Sequence, residues 1–518
     1  MRLSQKYLIP FISITSLSAL AADPVPNVFT AGTPAKAAEV NANFQHLVTA
    51  TTVNEEALAA LDAKIAEMED SEVPLSPLSQ LKDGEIELAV DCTNNPSDLL
   101  EKYQANAYFT NVNFSITGEC YGDIRFIKGN PDDDEDNDRR IQLASQSVHL
   151  YAADAEQRAS IIPNPDTQQV RLDNGLGGGL YISNLDIKAG TNDIFNAIGF
   201  YRGGHGSVNN TVITGVGSSD NTYIAAIVAQ EGAQVYINGV TANEFDTGVF
   251  ARNNATIRFT GAPSTFNVGG PWALDLNGAT TVNQQADLTL NSTDGNALKI
   301  GKGVSWEAWE WQDHTPKITT QGNVSLEGGG FLQAGDMEIA GYFYMDQSVS
   351  RVFGDMTFSD VSSMTVTNNS SATFNNLVTE HLHIDQGAQV LVKGGTVSEA
   401  FANYNSSLKV ESTTLNLISG YAASTVWMSS STLTSSSEDS SQIKHNSTLT
   451  VENSTISNTV EIHSSKSEVS GDTFVGNTSS FNCSGMSSLE ISVNDVSNNS
   501  NCGTPTIWQE ILDAHLNR

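Results

Sequence analysis

The chain is 518 residues long and carries 59 acidic against 25 basic side chains, a formal charge of −34 near neutral pH. Nucleic-acid binding works by neutralising phosphates with lysine and arginine, so this surface repels DNA, RNA and anionic lipid and excludes them as partners. The acidity suits solubility in salt-rich water or attraction of divalent cations.

The chain begins with Arg2 and Lys6, an apolar run from Tyr7 to Leu20, and the small-x-small site Ala19-Leu-Ala21. That is the pattern of a cleaved export signal over residues 1–21. No cysteine stands at the cleavage point to carry a lipid, and no later segment is apolar for long enough to make a transmembrane helix. The mature chain is expected to be soluble and exported, to the periplasm, the cell surface or the outside.

Residues 22–70 form the next segment. Within it Val40, Phe44, Leu47, Thr51, Asn54, Leu58, Leu61, Ile65 and Met68 alternate in steps of four and three. That beat predicts an α-helical coiled coil, with the polar Thr51 and Asn54 fixing register, and a homo-oligomer joined through residues 40–68. The single-helix alternative folds back on the rest of the chain. The run from Phe29 to Phe44 resembles a segment that follows the signal peptide in many secreted bacterial proteins. Residues 71–84, entered through acidic residues and containing Pro74 and Pro77, read as a linker.

The body spans residues 85–504. Its four cysteines fall into two local pairs, Cys92 with Cys120 and Cys483 with Cys502, and export makes disulfides the expectation. Without C-x-x-C spacing, neither a zinc ribbon nor a thioredoxin-type site is indicated. From Leu180 onward short strands recur among Gly, Asn, Ser and Thr. Val392, Val410, Met428, Val451, Val469 and Ile491 follow one another at 18, 18, 23, 18 and 22 residues. One motif per roughly twenty residues means a stacked repeat of about eighteen rungs. A β-sandwich would turn every eight to twelve residues or so. Earlier turns are longer: 22 residues from Ile237 to Phe259, and 36, or two of 18, from Leu290 to Leu326. Asn and Ser at repeated turn positions, as in Asn453–Asn458, suit side-chain ladders between rungs. Residues 505–518, with Trp508, Ile511, Leu512 and Leu516 at helical spacing, are expected to cap the far end.

The opening of the body has a strand ending Ala89-Val-Asp-Cys92, a short helix around Leu99–Tyr103, and Val112-Asn-Phe-Ser-Ile116-Thr-Gly-Glu-Cys120. It resembles the first rungs of pectin-lyase-like proteins. The resemblance implies an all-β, right-handed parallel β-helix solenoid whose open end is covered by the amphipathic helix, on a fold that hosts polysaccharide lyases and hydrolases. Gly204-His205-Gly206 is similar to the Gly-His-Gly motif of polygalacturonases and makes His205 a catalytic candidate. The carboxylate elements that precede the motif in that family have no match beyond Asn184-Leu-Asp186 and Asn192-Asp193, and only Arg258 follows it.

Three further groups carry possible chemistry. Asp220, Asp246, Arg252 and Asp275 are spaced about a rung apart, as a calcium-dependent lyase would need for its cation and its base. Asp132, Asp134, Asp136 and Asp138 lie in an acidic run able to attract Ca²⁺, although the EF-hand glycine and closing Glu are missing and a solvated loop is the simpler reading. Trp306, Trp309, Trp311 and His314 concentrate indoles between two strands, either as a wall for sugar rings or as a loop packed on the solenoid side. The leading expectation is an exported or surface β-helix that binds a polysaccharide or cell-surface glycan, or serves structurally. The alternative is a polysaccharide lyase or glycoside hydrolase, and a trimeric phage-like spike is a third reading.

Overall fold

The computed structural model describes residues 26–27, 36–49, 51–52, 85–106, 110–125, 146–175, 177–190, 196–217, 224–310, 312–359, 363–434, 439–475, 481–491 and 502. The chain divides into two compact units, Met1–Lys82 and Asp83–Arg518. In the first, residues 37–49 and 51–52 are helical. Asn27 bonds to this helix: its backbone N–H donates to Asn43 Oδ1 at 2.9 Å while Asn43 Nδ2 donates back to its carbonyl at 2.7 Å. Phe44, Leu47 and Val48 lie exposed on the helix. Val40 is half-buried and Thr51 exposed on the same helix, and the predicted seam from Asn54 onward, the signal segment and the linker lie outside the described residues.

Among its described residues the second unit is all-β apart from one helix, and every strand pairing is parallel. The reason is visible in one ladder. Ile86 pairs with Val112, Val112 with Val148, and so on through Leu180, Gly206, Val235, Ile257, Val282, Trp306, Leu332, Ser350, Ala372, Val390, Leu408, Val426, Leu449 and Ser467 to Leu489, eighteen strands in one stack. Each pass of the chain adds one strand to this ladder and further strands to two others. Members of those are the chain of pairs Leu172, Ile198, Ile227, Val249, and the chain Ile161, Ile187, Ile213, Ala242. Side chains alternate along each strand, so an apolar residue at every second position stacks on its like and excludes water from the interior.

The spacing predicted from Val392 to Ile491 is observed pair by pair: Val392 with Val410, Val410 with Met428, Met428 with Val451, Val451 with Val469, and Val469 with Ile491. Ile237 pairs with Phe259 as expected. The step from Leu290 to Leu326 does not hold. Leu290 pairs with Thr320, and Leu326 with Ile300, because Lys317–Glu327 bends across two ladders and places its two ends on different ones.

Hydroxyl ladders stitch the turns. Thr413, Ser431, Ser454 and Thr473 occupy one corner, and each side-chain oxygen donates to a carbonyl two or three residues earlier in its own pass. The oxygens of Ser431, Ser454 and Thr473 also accept the N–H of the preceding member at 3.1, 3.1 and 3.4 Å. An asparagine ladder does the same elsewhere, Asn291 donating to Asn267 and Asn267 to Asn243 at 2.7 and 2.8 Å.

At the start of the unit, helix Asp98–Asn106 buries Leu99 and Tyr103 in the common core, with Tyr103 6.4 Å from Phe114 between ring centres. Asp98 accepts the N–H of Asp91 at 2.9 Å and pairs with Lys102 at 2.7 Å. Both expected disulfides are present, Cys92–Cys120 and Cys483–Cys502. The predicted C-terminal helix lies outside the described residues.

Candidate functional site

The outward positions of the long ladder form parallel columns, and the central one runs through the middle of each strand. From the third strand to the eleventh it reads His149, Tyr181, Ser207, Tyr236, Arg258, Asn283, Glu307, Gln333 and Arg351, each register-paired with the next. None of them is buried. Parallel strands place successive members about 4.8 Å apart, so a line of donors, acceptors and rings follows the stack.

In this column and the rows beside it the groups order one another. The rings of His149 and Tyr181 stack with centres 4.4 Å apart and planes 13° apart, and Tyr181 meets His205 edge-on at 6.2 Å. Gly179 makes room for them, since a Cβ there would lie 2.9 Å from the Tyr181 ring and 3.3 Å from His205 Nε2. Burial lowers the His149 pKa, opposed by the nearby charge of Glu85. Tyr151 donates to Glu87 at 2.9 Å, and burial raises its phenol first, helped by that carboxylate. Further along, Arg258 donates to the Tyr236 hydroxyl at 2.8 Å, with its guanidinium carbon 5.1 Å from the centre of that ring. Lower in the same column, Lys409 Nζ sits 3.6 Å above the Trp427 ring. Trp427 Nε1 has no hydrogen-bond partner among the described residues.

The residues singled out from sequence are dispersed. His205 lies at the edge of the long ladder, paired with Gly179 and Gln234. The glycines beside it have a packing cause. Gly206 fills an inward ladder position where a Cβ would come within 1.7 Å of the Leu180 carbonyl oxygen, and at Gly204 it would lie 2.8 Å from Gly175 Cα. Asp246 is buried and accepts the N–H of Ile224 at 3.0 Å. Arg252 and Asp275 do come together, at 3.6 Å, on a different ladder from His205, with the guanidinium 4.1 Å from the Phe250 ring centre. Asp220, and Asp132, Asp134, Asp136 and Asp138, lie outside the described residues. Among the described residues no three His, Cys, Asp or Glu side chains converge as a metal site, and no helix is long and apolar enough to cross a membrane.

The tryptophan group separates in the structure. Trp306 belongs to strand Ser305–Ala308 and points inward, fully buried, stacked on Phe259 at 6.0 Å and donating to Gln284 at 3.1 Å. It replaces an aliphatic side chain in the ladder and has no face left for a sugar, which corrects its assignment to a groove wall. Trp309, past the end of that strand, is half-exposed. His314 Nε2 lies 2.9 Å from Asp287, whose same oxygen accepts the N–H of Lys317. Trp311 lies outside the described residues.

One cluster escaped sequence reasoning. Asp173 is buried against Arg171, its Oδ1 accepts Asn196 Nδ2 at 2.7 Å, and Asn196 Oδ1 accepts the Tyr201 hydroxyl at 2.7 Å. Burial, and then the charge of Asp173, push the Tyr201 phenol far up. Gly199 leaves the space, because a Cβ there would lie 2.4 Å from both Asp173 and Tyr201. The alternation Arg171-x-Asp173 was the available signal; its partners come from the next pass.

Comparison with protein-family models, with curated proteins and with solved structures finds no match to this chain.

Proposed function

We propose that the body of this protein is a right-handed parallel β-helix of pectin-lyase-like type, exported, and that it binds carbohydrate along the outer face of its long ladder, in an adhesive or structural role. The observation that carries this reading is the column from His149 to Arg351. Tyr181 and Tyr236 offer aromatic faces for the CH surface of a sugar ring, and Arg258, Asn283, Glu307, Gln333 and Arg351 offer donors and acceptors for hydroxyls along one line. A linear repeating ligand is the natural partner of such a line. The two disulfides fit a protein that works in an oxidising compartment. The exposed Phe44 and Leu47 of the N-terminal helix support self-association through residues 40–68.

The test is retention of the purified mature protein on a panel of acidic and neutral polysaccharides, with and without calcium. Wild type is expected to be retained, and Tyr236→Ala with Arg258→Ala to weaken retention about tenfold or more, roughly 1.4 kcal/mol per factor of ten. No retention on any polysaccharide removes the reading. New reducing ends or unsaturated sugars in the same incubation replace binding by cleavage.

A further inference from the structure

We propose that a second site, a groove at the turns that lead into the long ladder, binds an uncharged glycan, with Tyr404 as its stacking platform. The groove has a volume of about 480 Å³ and is lined by Asn369, Gln386, Gly387, Tyr404 and Asn405, which belong to three consecutive passes of the chain.

The turn geometry explains the place and leaves the side chains unexplained. Each pass makes this corner with left-handed residues: Asn368 and Asn369 at φ 52° and 60°, Gln386 and Gly387 at 52° and 77°, Tyr404 and Asn405 at 50° and 61°. The main chains are stitched together, Asn369 N–H donating to Gln386, Gly387 N–H to Tyr404 and Asn405 N–H to Ala422, each at 3.0 Å. Glycine and asparagine are the residues this conformation favours, whereas a bulky ring at positive φ is uncommon. Tyr404 nevertheless stands there with 57 % of its surface exposed, so the interior gains little from its ring. A bulky residue held in a disfavoured conformation for so little burial points to a use outside the fold.

The surrounding chemistry selects the ligand. Tyr404 meets Tyr421 edge-on at 6.3 Å, Tyr421 meets His445 at 4.5 Å and His445 meets His463 at 6.0 Å, so rings line this corner over four successive passes. Gly387 keeps the floor open, since a Cβ there would lie 2.5 Å from Asn369 Oδ1. The amides of Asn369, Gln386 and Asn405 are exposed and take no part in the side-chain hydrogen bonds among the described residues. An amide supplies both donors and acceptors, as vicinal sugar hydroxyls require, and an aromatic face takes the opposite, CH-bearing side of the ring. None of the five lining residues is charged, in a chain of formal charge −34. An anionic glycan finds no countercharge here and meets a repelling surface.

The probes are soluble neutral glucan, mannan and galactan, with polygalacturonate and alginate as the acidic arm, run by affinity electrophoresis on the full mature chain. At least one neutral glycan is expected to retard the protein. Tyr404→Asn, which installs the side chain this turn favours, is expected to cut that retardation at least tenfold while the melting temperature stays level or rises, and Tyr404→Phe to preserve both. Asn369→Ala with Gln386→Ala, at exposed positions, is expected to cut it likewise. Retardation by acidic glycans alone, unchanged retardation in Tyr404→Asn, or equal losses in Tyr404→Phe and Tyr404→Asn overturn the proposal. If Tyr404→Asn fails to fold, the double amide variant decides, and unchanged retardation there overturns the proposal. The site is independent of the sheet-face reading: failure of that reading appears as Tyr236→Ala without effect on any polysaccharide, failure of this one as Tyr404→Asn without effect on a neutral one.

Discussion

At the scale of single residues, alternation along a strand decides what a side chain is able to do. Trp306 and Trp309 differ by three positions and look equivalent as a loop, yet one is fully buried and the other half-exposed because Ser305–Ala308 is a strand. His149 and His383 follow from burial too: each has its pKa lowered by desolvation, His383 while stacked on Phe401 at 4.9 Å. For both, the unfolded chain takes up its proton near the ordinary 6.5 while the folded chain resists until a lower pH. Their contribution is therefore fully present above the unfolded value and is lost as pH falls through the lowered folded values. Melting temperatures followed from about pH 8 to about pH 5 are expected to fall less steeply in a His149→Gln, His383→Gln double variant than in wild type. Identical slopes would remove these two histidines as the source.

At the scale of the element, turns matter more than strands. Many of the strands are only two to five residues long, and the row of hydroxyls at the corners helps keep passes of unequal length in register. Ser431 donates to the Ser429 carbonyl at 2.8 Å and accepts the N–H of Thr413 at 3.1 Å, the second bond in buried surroundings. Ser431→Ala leaves that N–H without its partner, and a loss of about 1–3 kcal/mol is expected in denaturant unfolding. Thr432→Ala, one residue on and pointing outward, is expected to change stability by no more than about 0.5 kcal/mol. Equal costs for the two would mean that the hydroxyl ladder contributes nothing particular to register.

At the scale of the whole molecule the chain divides into an N-terminal unit, helical at residues 37–49 and 51–52, and a parallel-stranded body. Deleting residues 22–72 is expected to lower the sedimenting mass to that of a monomer, whereas an unchanged oligomer would move the self-association into the body. The legible part of the body is the part whose passes are short. From Val392 to Ile491 the intervals of 18 to 23 residues leave room only for three faces and tight corners, so an apolar repeat read in one dimension is the ladder itself. Upstream, 36 residues separate Val112 from Val148 and 32 separate Val148 from Leu180, and insertions of unequal length at the corners hide the repeat.

The sequence by itself determined the all-β class, the parallel stacking implied by one motif per twenty residues, the local cysteine pairs and the small helix that buries Leu99 and Tyr103. Each depends on residues near one another in the chain or on a period the chain repeats. Only the tertiary structure decided which polar side chains meet. Tyr236 and Arg258, Asp173 and Asn196, and Tyr404 and Tyr421 are neighbours because one pass of 17 to 23 residues returns the chain a single strand spacing away. The length of each pass is set by its corners, and corner residues carry no periodic signal that announces which outward side chain will stand beside which.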